Sequence, residues 1–143
     1  MSILENQDTI TEAYEDVRND NSDTEWLFLA YNDANKVYLE SKGTGYDNLL
    51  AKFTDDIRAY AFVRVETGDE LSKRAKFALI TWIGDNVGAL KKAKVSVQKS
   101  EVKAVIKSVA AEVLANDKGD VAYKVLDDLV RKAGGANYGT GSR

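Results

Sequence analysis

Three adjacent acid pairs, Asp55-Asp56, Asp69-Glu70 and Asp127-Asp128, and a tight cationic cluster, Lys73, Arg74 and Lys76, are the groupings in this sequence whose types and spacing could do chemistry. Paired carboxylates carry out acid–base work when an apolar pocket raises the pKa of one of them. Neighbouring acids on a helix or loop point apart, and no such pocket is in view for any of the three pairs, so they read as solvated surface. The 143 residues contain no histidine and no cysteine. That removes the commonest general base, the thiolate nucleophile and the usual zinc ligands. Gly43-Thr44-Gly45 lacks the Gly-Lys-Ser/Thr ending of a phosphate loop. Asp117-Lys118-Gly119-Asp120 lacks the spacing of a calcium loop. The expectation is a protein that is not an enzyme, with no cofactor and no metal.

The cationic cluster belongs to a longer pattern. Residues 72–107 carry nine cations (Lys73, Arg74, Lys76, Lys91, Lys92, Lys94, Lys99, Lys103 and Lys107) against two acids, Asp85 and Glu101. That is a local charge of +7 in a chain of net charge −3, which leaves −10 on the remainder. Such asymmetry calls for an anionic partner. The acidic pI of about 5.1 and the absence of aromatics among the lysines argue against nucleic acid. Two partner classes remain: anionic lipid head groups such as phosphoinositides, where each surface cation contributes about 1 kcal/mol, and an acidic protein surface.

The elements that hold these cations follow from periodicity. The cluster abuts Phe77–Ile83, an apolar run that reads as a strand buried on both faces. Residues 59–66 form a second strand, antiparallel to the first because only a short loop separates them. Upstream, Thr9 and Glu12 have capping-box spacing and Ile10, Ala13, Tyr14 and Val17 share a face, which predicts a helix over 9–19. Trp26–Tyr31 and Lys36–Glu40 read as a hairpin. Ser41–Gly45 breaks that pattern, and Tyr46, Leu49, Leu50 and Phe53 space as a short helix.

Beyond the central strand, Asp85 is placed to cap a helix from Asn86, with Val87 and Leu90 inward and Lys91, Lys92 and Lys94 outward. The β-branched Val95 and Val97 predict a kink or break. Ser96 would cap a second stretch carrying the stripe Val102, Val105, Ile106 and Val109. Lys99, Lys103 and Lys107 recur every four residues as a solvent-facing ridge. Residues 112–116 read as a last edge strand. Tyr123, Leu126, Leu129 and Val130 mark a C-terminal helix stopped at Ala133-Gly134-Gly135. The expected fold class is α/β (α+β), a mixed, mostly antiparallel sheet of five or six strands covered by helices. One domain over 1–135 and a flexible tail over 136–143 are expected. No apolar run reaches the ~18 residues of a membrane span and no signal peptide is evident, so the expected location is cytoplasmic.

The stretch Thr67–Val87 resembles the coactosin branch of the ADF-homology (actin-depolymerising factor) family. Phe53–Arg58 with Phe62–Arg64, Tyr14–Arg18 and Lys132–Tyr138 are similar to the same family, and the matches span nearly the whole chain in order. The resemblance implies a central mixed sheet with helices on both faces and a long kinked helix after the Trp82 strand. It implies binding to actin, filaments foremost and monomers as a second form, by a monomeric protein of the actin cytoskeleton. Carried onto this chain, the family's contacts fall on three groups. They are Lys73, Arg74 and Lys76 at the strand entrance, Lys91, Lys92, Lys94, Lys99 and Lys103 on the long helix, and Arg131 and Lys132 on the C-terminal helix. The long helix lacks the Met-rich, strongly basic signature of the depolymerising factors, which implies filament binding without severing.

Overall fold

The structure is a computed structural model that describes residues 2–67 and 74–139. Lys73 and the acid pair Asp69-Glu70 lie outside the described residues. Five strands form one sheet in the order β2-β1-β3-β4-β5: β1 Trp26–Tyr31, β2 Val37–Gly43, β3 Arg58–Thr67, β4 Arg74–Ile83 and β5 Ala111–Ala115. The helices are α1 Gln7–Arg18, α2 Tyr46–Leu50, α3 Ala89–Val105 and α4 Tyr123–Gly139, with a 3-10 turn at Lys118–Val121.

The centre of the sheet is the β3–β4 pair, antiparallel over ten residues from Arg58↔Ile83 to Thr67↔Arg74. Its side chains alternate between two cores, as the two-residue strand period demands. Ala59, Ala61, Val63 and Val65 of β3 join Ala78, Ile80 and Trp82 of β4 beneath Leu49 of α2 and Leu126 and Val130 of α4. Tyr60, Phe62 and Leu79 face the other way, against Ile10, Tyr14 and Val17 of α1 and Val95, Val102 and Val105 of α3. Burial on both faces therefore holds for both central strands, and the helices lie on both sides of the sheet. β5 pairs with β4 in parallel, from Ala78↔Ala111 to Trp82↔Ala115. Parallel neighbours need a long crossover, and α3 is that crossover.

Several local expectations are corrected. α1 starts at Gln7, two residues before Thr9, with Asn6 in the left-handed region at its N-terminus and no side-chain cap. Thr9 is thus inside the helix and the capping box does not form. The other end of α1 is closed by a distant residue. Arg64, 8 % exposed, donates from Nε and Nη2 to the Val17 carbonyl at 3.0 and 2.6 Å and from Nη2 to the Asn19 carbonyl. These are carbonyls that a helix end leaves without partners.

β2 continues through Gly43 rather than ending near Glu40. The helix expected from Asn86 begins at Ala89 with Gly88 as its cap. Asp85 instead accepts from Asn116 Nδ2 at 2.9 Å. The chain is held here by a close approach of two backbones: a Cβ on Gly84 would lie 2.2 Å from the Asp55 carbonyl oxygen. Trp82 Nε1 donates to the Thr54 carbonyl at 2.8 Å beside it. Finally, α3 runs over 17 residues without interruption at Val95–Val97. One buried face is enough to carry both valines through the helix: Val95 is fully buried, whereas Val97 is 75 % exposed. Nor do Gly134 and Gly135 stop α4, which continues to Gly139.

Candidate functional site

The expected cations fall into two groups on opposite sides of the sheet. Lys76 lies across from Val65 in the β3–β4 register and shares the α4 side with Ala78, Ile80 and Trp82. It is half-buried, and among the described residues it makes no ion pair. Arg74 opens β4 opposite Thr67. On α4, Arg131 is exposed and donates from Nε to Asp127 Oδ1 at 2.8 Å, and Lys132 is exposed. The lysines of α3 belong to the other side, where that helix packs on Tyr60, Phe62 and Leu79.

Within α3 the lysines divide again. Lys99 Nζ lies 3.1 Å from Glu112 Oε1 of β5, and Lys103 reaches the other oxygen of the same carboxylate. The Lys103 bond, with that from Lys99, holds the Glu112 carboxyl below the usual carboxylate range against the opposing effect of partial burial. Lys92 Nζ approaches the Asp85 carbonyl at 3.3 Å. Lys91 and Lys94 are exposed and make no ion pair among the described residues. Lys107, expected on the same ridge, falls beyond the helix end at Val105.

The structure adds two residues that sequence reasoning placed elsewhere. Leu90, expected to face inward, is 73 % exposed, as is Val97 to a similar degree. Leu90, Lys94 and Val97 are spaced i, i+4, i+7 and so share one face of α3. The buried residues Val95 and Val102 repeat on the same seven-residue interval, offset by five positions from Leu90 and Val97. That offset was the available signal. A continuous helix cannot point both pairs at the sheet, so one of them must face solvent. An apolar pair flanked by uncompensated cations is a surface suited to an acidic protein partner with an apolar seat.

α3 is held in place from behind. The buried Tyr60 hydroxyl donates to the Val95 carbonyl at 2.8 Å and accepts from the Tyr31 hydroxyl at 3.0 Å. The Tyr31 oxygen also lies 2.8 Å from the side-chain amide of Gln98. Burial raises the pKa of both phenols, so they stay neutral donors. At the front flank, Glu101 accepts from the Ile3 amide at 2.9 Å, which ties the N-terminal segment to the helix. Among the described residues no cluster of metal-ligating side chains occurs, and no helix is long and apolar enough to cross a membrane.

The sequence model of the cofilin/tropomyosin-type actin-binding proteins matches residues 4–131. Coactosin of Dictyostelium discoideum is 43 % identical over 128 residues, 88 % of each chain. The crystal structure of human coactosin-like protein superposes with a TM-score of 0.84 at 36 % identity, over 89 % of this chain and 96 % of that one. Mouse coactosin, described as an actin filament binding protein, superposes with a TM-score of 0.77 at 37 % identity over 99 % of both chains. The mixed five-stranded sheet with helices on both faces is the architecture these structures share with this chain. The chain therefore belongs to the ADF-homology family of actin-binding, non-enzymatic proteins, and within it is similar to the coactosins.

Proposed function

We propose that this protein binds actin filaments, with no severing activity, through the exposed face of α3 together with the cations at the β4 entrance and on α4. The observation that carries the reading is the stripe Leu90–Lys94–Val97 with Lys91 beside it, exposed on a helix whose opposite face is locked into the core. The rigid backing matters because a preformed surface loses little conformational entropy on binding. Mouse coactosin, which matches the full length, is described as a filament binder, and that supports filaments over monomers as the partner. The actin cytoskeleton of the cytoplasm is the corresponding location, with the monomeric chain as the binding unit.

Lys73, Arg74 and Lys76 form the second contact group, with Arg131 and Lys132 on the same side as Lys76. Lys76 is the residue of choice for the test, because a half-buried stem on a ten-residue strand fixes where its ammonium lies. A charge-assisted hydrogen bond to a filament carboxylate contributes about 1.5–3 kcal/mol. Lys76→Glu is expected to abolish co-sedimentation with filaments while circular dichroism and thermal melting stay as in the wild type. Unchanged pelleting would remove Lys76 from the site. A pyrene-actin depolymerisation trace run alongside is expected to show no acceleration, and faster disassembly would overturn the non-severing part of the reading. Flotation with vesicles that contain phosphoinositide tests the lipid alternative: binding there that competes with filaments would assign the same face to both partners.

A further inference from the structure

A cleft of about 460 Å³ lies beside the turn between β1 and β2, with Arg58 in its lining. Arg58 opens β3 and is 8 % exposed. Its guanidinium carbon sits 3.8 Å from the centroid of the Tyr31 ring, and Nη2 donates to Asn35 Oδ1 at 2.7 Å. Among the described residues no carboxylate pairs with it. A guanidinium carries five N–H donors and no acceptor, and among the described residues this one gives a single hydrogen bond to the protein. Among the described residues, no side-chain nitrogen or oxygen closed off from solvent lacks a partner. The unused Nε and Nη1 donors therefore open onto the cleft. Arginines this deeply buried are ordinarily matched by an anion. Arg64 shows the other solution in the same strand, since its Nε and Nη2 are taken up by backbone carbonyls.

The charges around the cleft define what could match it. Lys52 and Lys91 are the other cations of the lining, and Asp33, Glu40 and Asp56 are the acids. Lys52 is committed to Glu40 at 3.0 Å. That leaves Arg58 and Lys91 against Asp33 and Asp56, a net charge of zero that disfavours a phosphate dianion; a single negative charge is accommodated at the Arg58 guanidinium, which no carboxylate pairs with among the described residues. Phe28, Ile57 and Tyr38 supply apolar wall, and the volume falls within the range of small-molecule sites. We propose that this cleft binds a small monocarboxylate with an apolar body, its carboxylate held by Arg58 and its body against Phe28 and Ile57. The planar fork of arginine matches a carboxylate with two parallel bonds.

The test is a titration of the full chain with benzoate, followed by amide and Arg Nε–H NMR signals, beside titrations with neutral benzamide and with orthophosphate. Saturable shifts at Arg58 Nε–H and at the amides of Asn35 and Ile57 are expected with benzoate. Benzamide should give at least tenfold weaker binding, and orthophosphate should leave these signals in place. The Arg58→Gln variant should lose the benzoate response. Equal responses to benzoate and benzamide, tighter binding of orthophosphate, or no benzoate response at these signals would each overturn the proposal. If Arg58→Gln fails to fold, the three wild-type titrations decide.

Discussion

The two halves of α3 carry the same kinds of residues and leave them in opposite conditions. In the first half, Lys91 and Lys94 are exposed without an ion pair among the described residues, next to Leu90 and Val97 with most of their surface in water. In the second half, Lys99 and Lys103 converge on the one carboxylate of Glu112. A count of lysines treats the two halves alike. The cost of desolvation does not, because a cation already matched by a carboxylate has less to gain from a second anion and must first give up the one it has. The lesson is that a positive segment marks a binding element, while the pairing inside the fold selects which part of it is available.

Reversing the free half should give the largest effect that separates the two. The double variant Lys91→Glu/Lys94→Glu is expected to weaken filament co-sedimentation about 100-fold (about 3 kcal/mol), from two lost charge-assisted contacts. Its melting temperature should match the wild type, since neither lysine makes an ion pair among the described residues. An equal loss from the corresponding reversal of Lys99 and Lys103 would erase the distinction between the halves. Next in size is the apolar seat. Burying an exposed leucine contributes about 1.5–3 kcal/mol, so Leu90→Ser is expected to weaken binding about tenfold, measured by the same pelleting titration. Preserved affinity would show that the face is read by charge alone.

Glu112→Gln converts the second half toward the first by releasing Lys99 and Lys103. Filament affinity is expected to rise about two- to threefold, with a stability loss of under about 1 kcal/mol, as for exposed pairs. Reduced affinity would mean that Glu112 itself orders the contact. The smallest expected effect is on pH. Because its folded-state pKa is depressed below the ordinary 4.5, Glu112 contributes stability that is complete above that value and is lost as pH falls through the lower folded value. The ratio of wild-type to Glu112→Gln affinity should therefore be the same at about pH 7 and about pH 5.5. A ratio that shifts across this interval would show the carboxylate titrating earlier than its two lysines allow.

Much of the architecture was legible from residue order. The stripe Ile10–Ala13–Tyr14–Val17 is buried as its spacing predicts, as are Val102, Val105 and Ile106, while the last member of that second stripe, Val109, is half-buried beyond the helix end; Phe77–Ile83 lies in a central strand. The misreadings occur where a local signal met a distant contact. Thr9 and Glu12 spell a capping box, yet α1 begins earlier and is closed at its far end by Arg64, which is remote in sequence. Asp85 looks like a helix cap, yet the approach of Gly84 to the Asp55 backbone holds this stretch outside the helix. Val95 and Val97 look like a break because β-branched residues disfavour helix, a preference of a few tenths of a kcal/mol per residue that core packing overrides.

The sequence by itself determined the charge asymmetry, the absence of histidine and cysteine, the strand and helix stripes, and a family resemblance that the comparisons bear out. These are properties of composition and short-range period, and no fold is needed to count them. Tertiary structure alone decided that Lys76 and the α3 lysines lie on opposite sides of the sheet, that Glu112 engages Lys99 and Lys103, and which apolar set of α3 faces solvent, Leu90 with Val97 rather than Val95 with Val102. Each of these depends on strand order and register, which bring residues far apart in the chain to within a few ångströms. Spacing along the sequence carries no record of that distance.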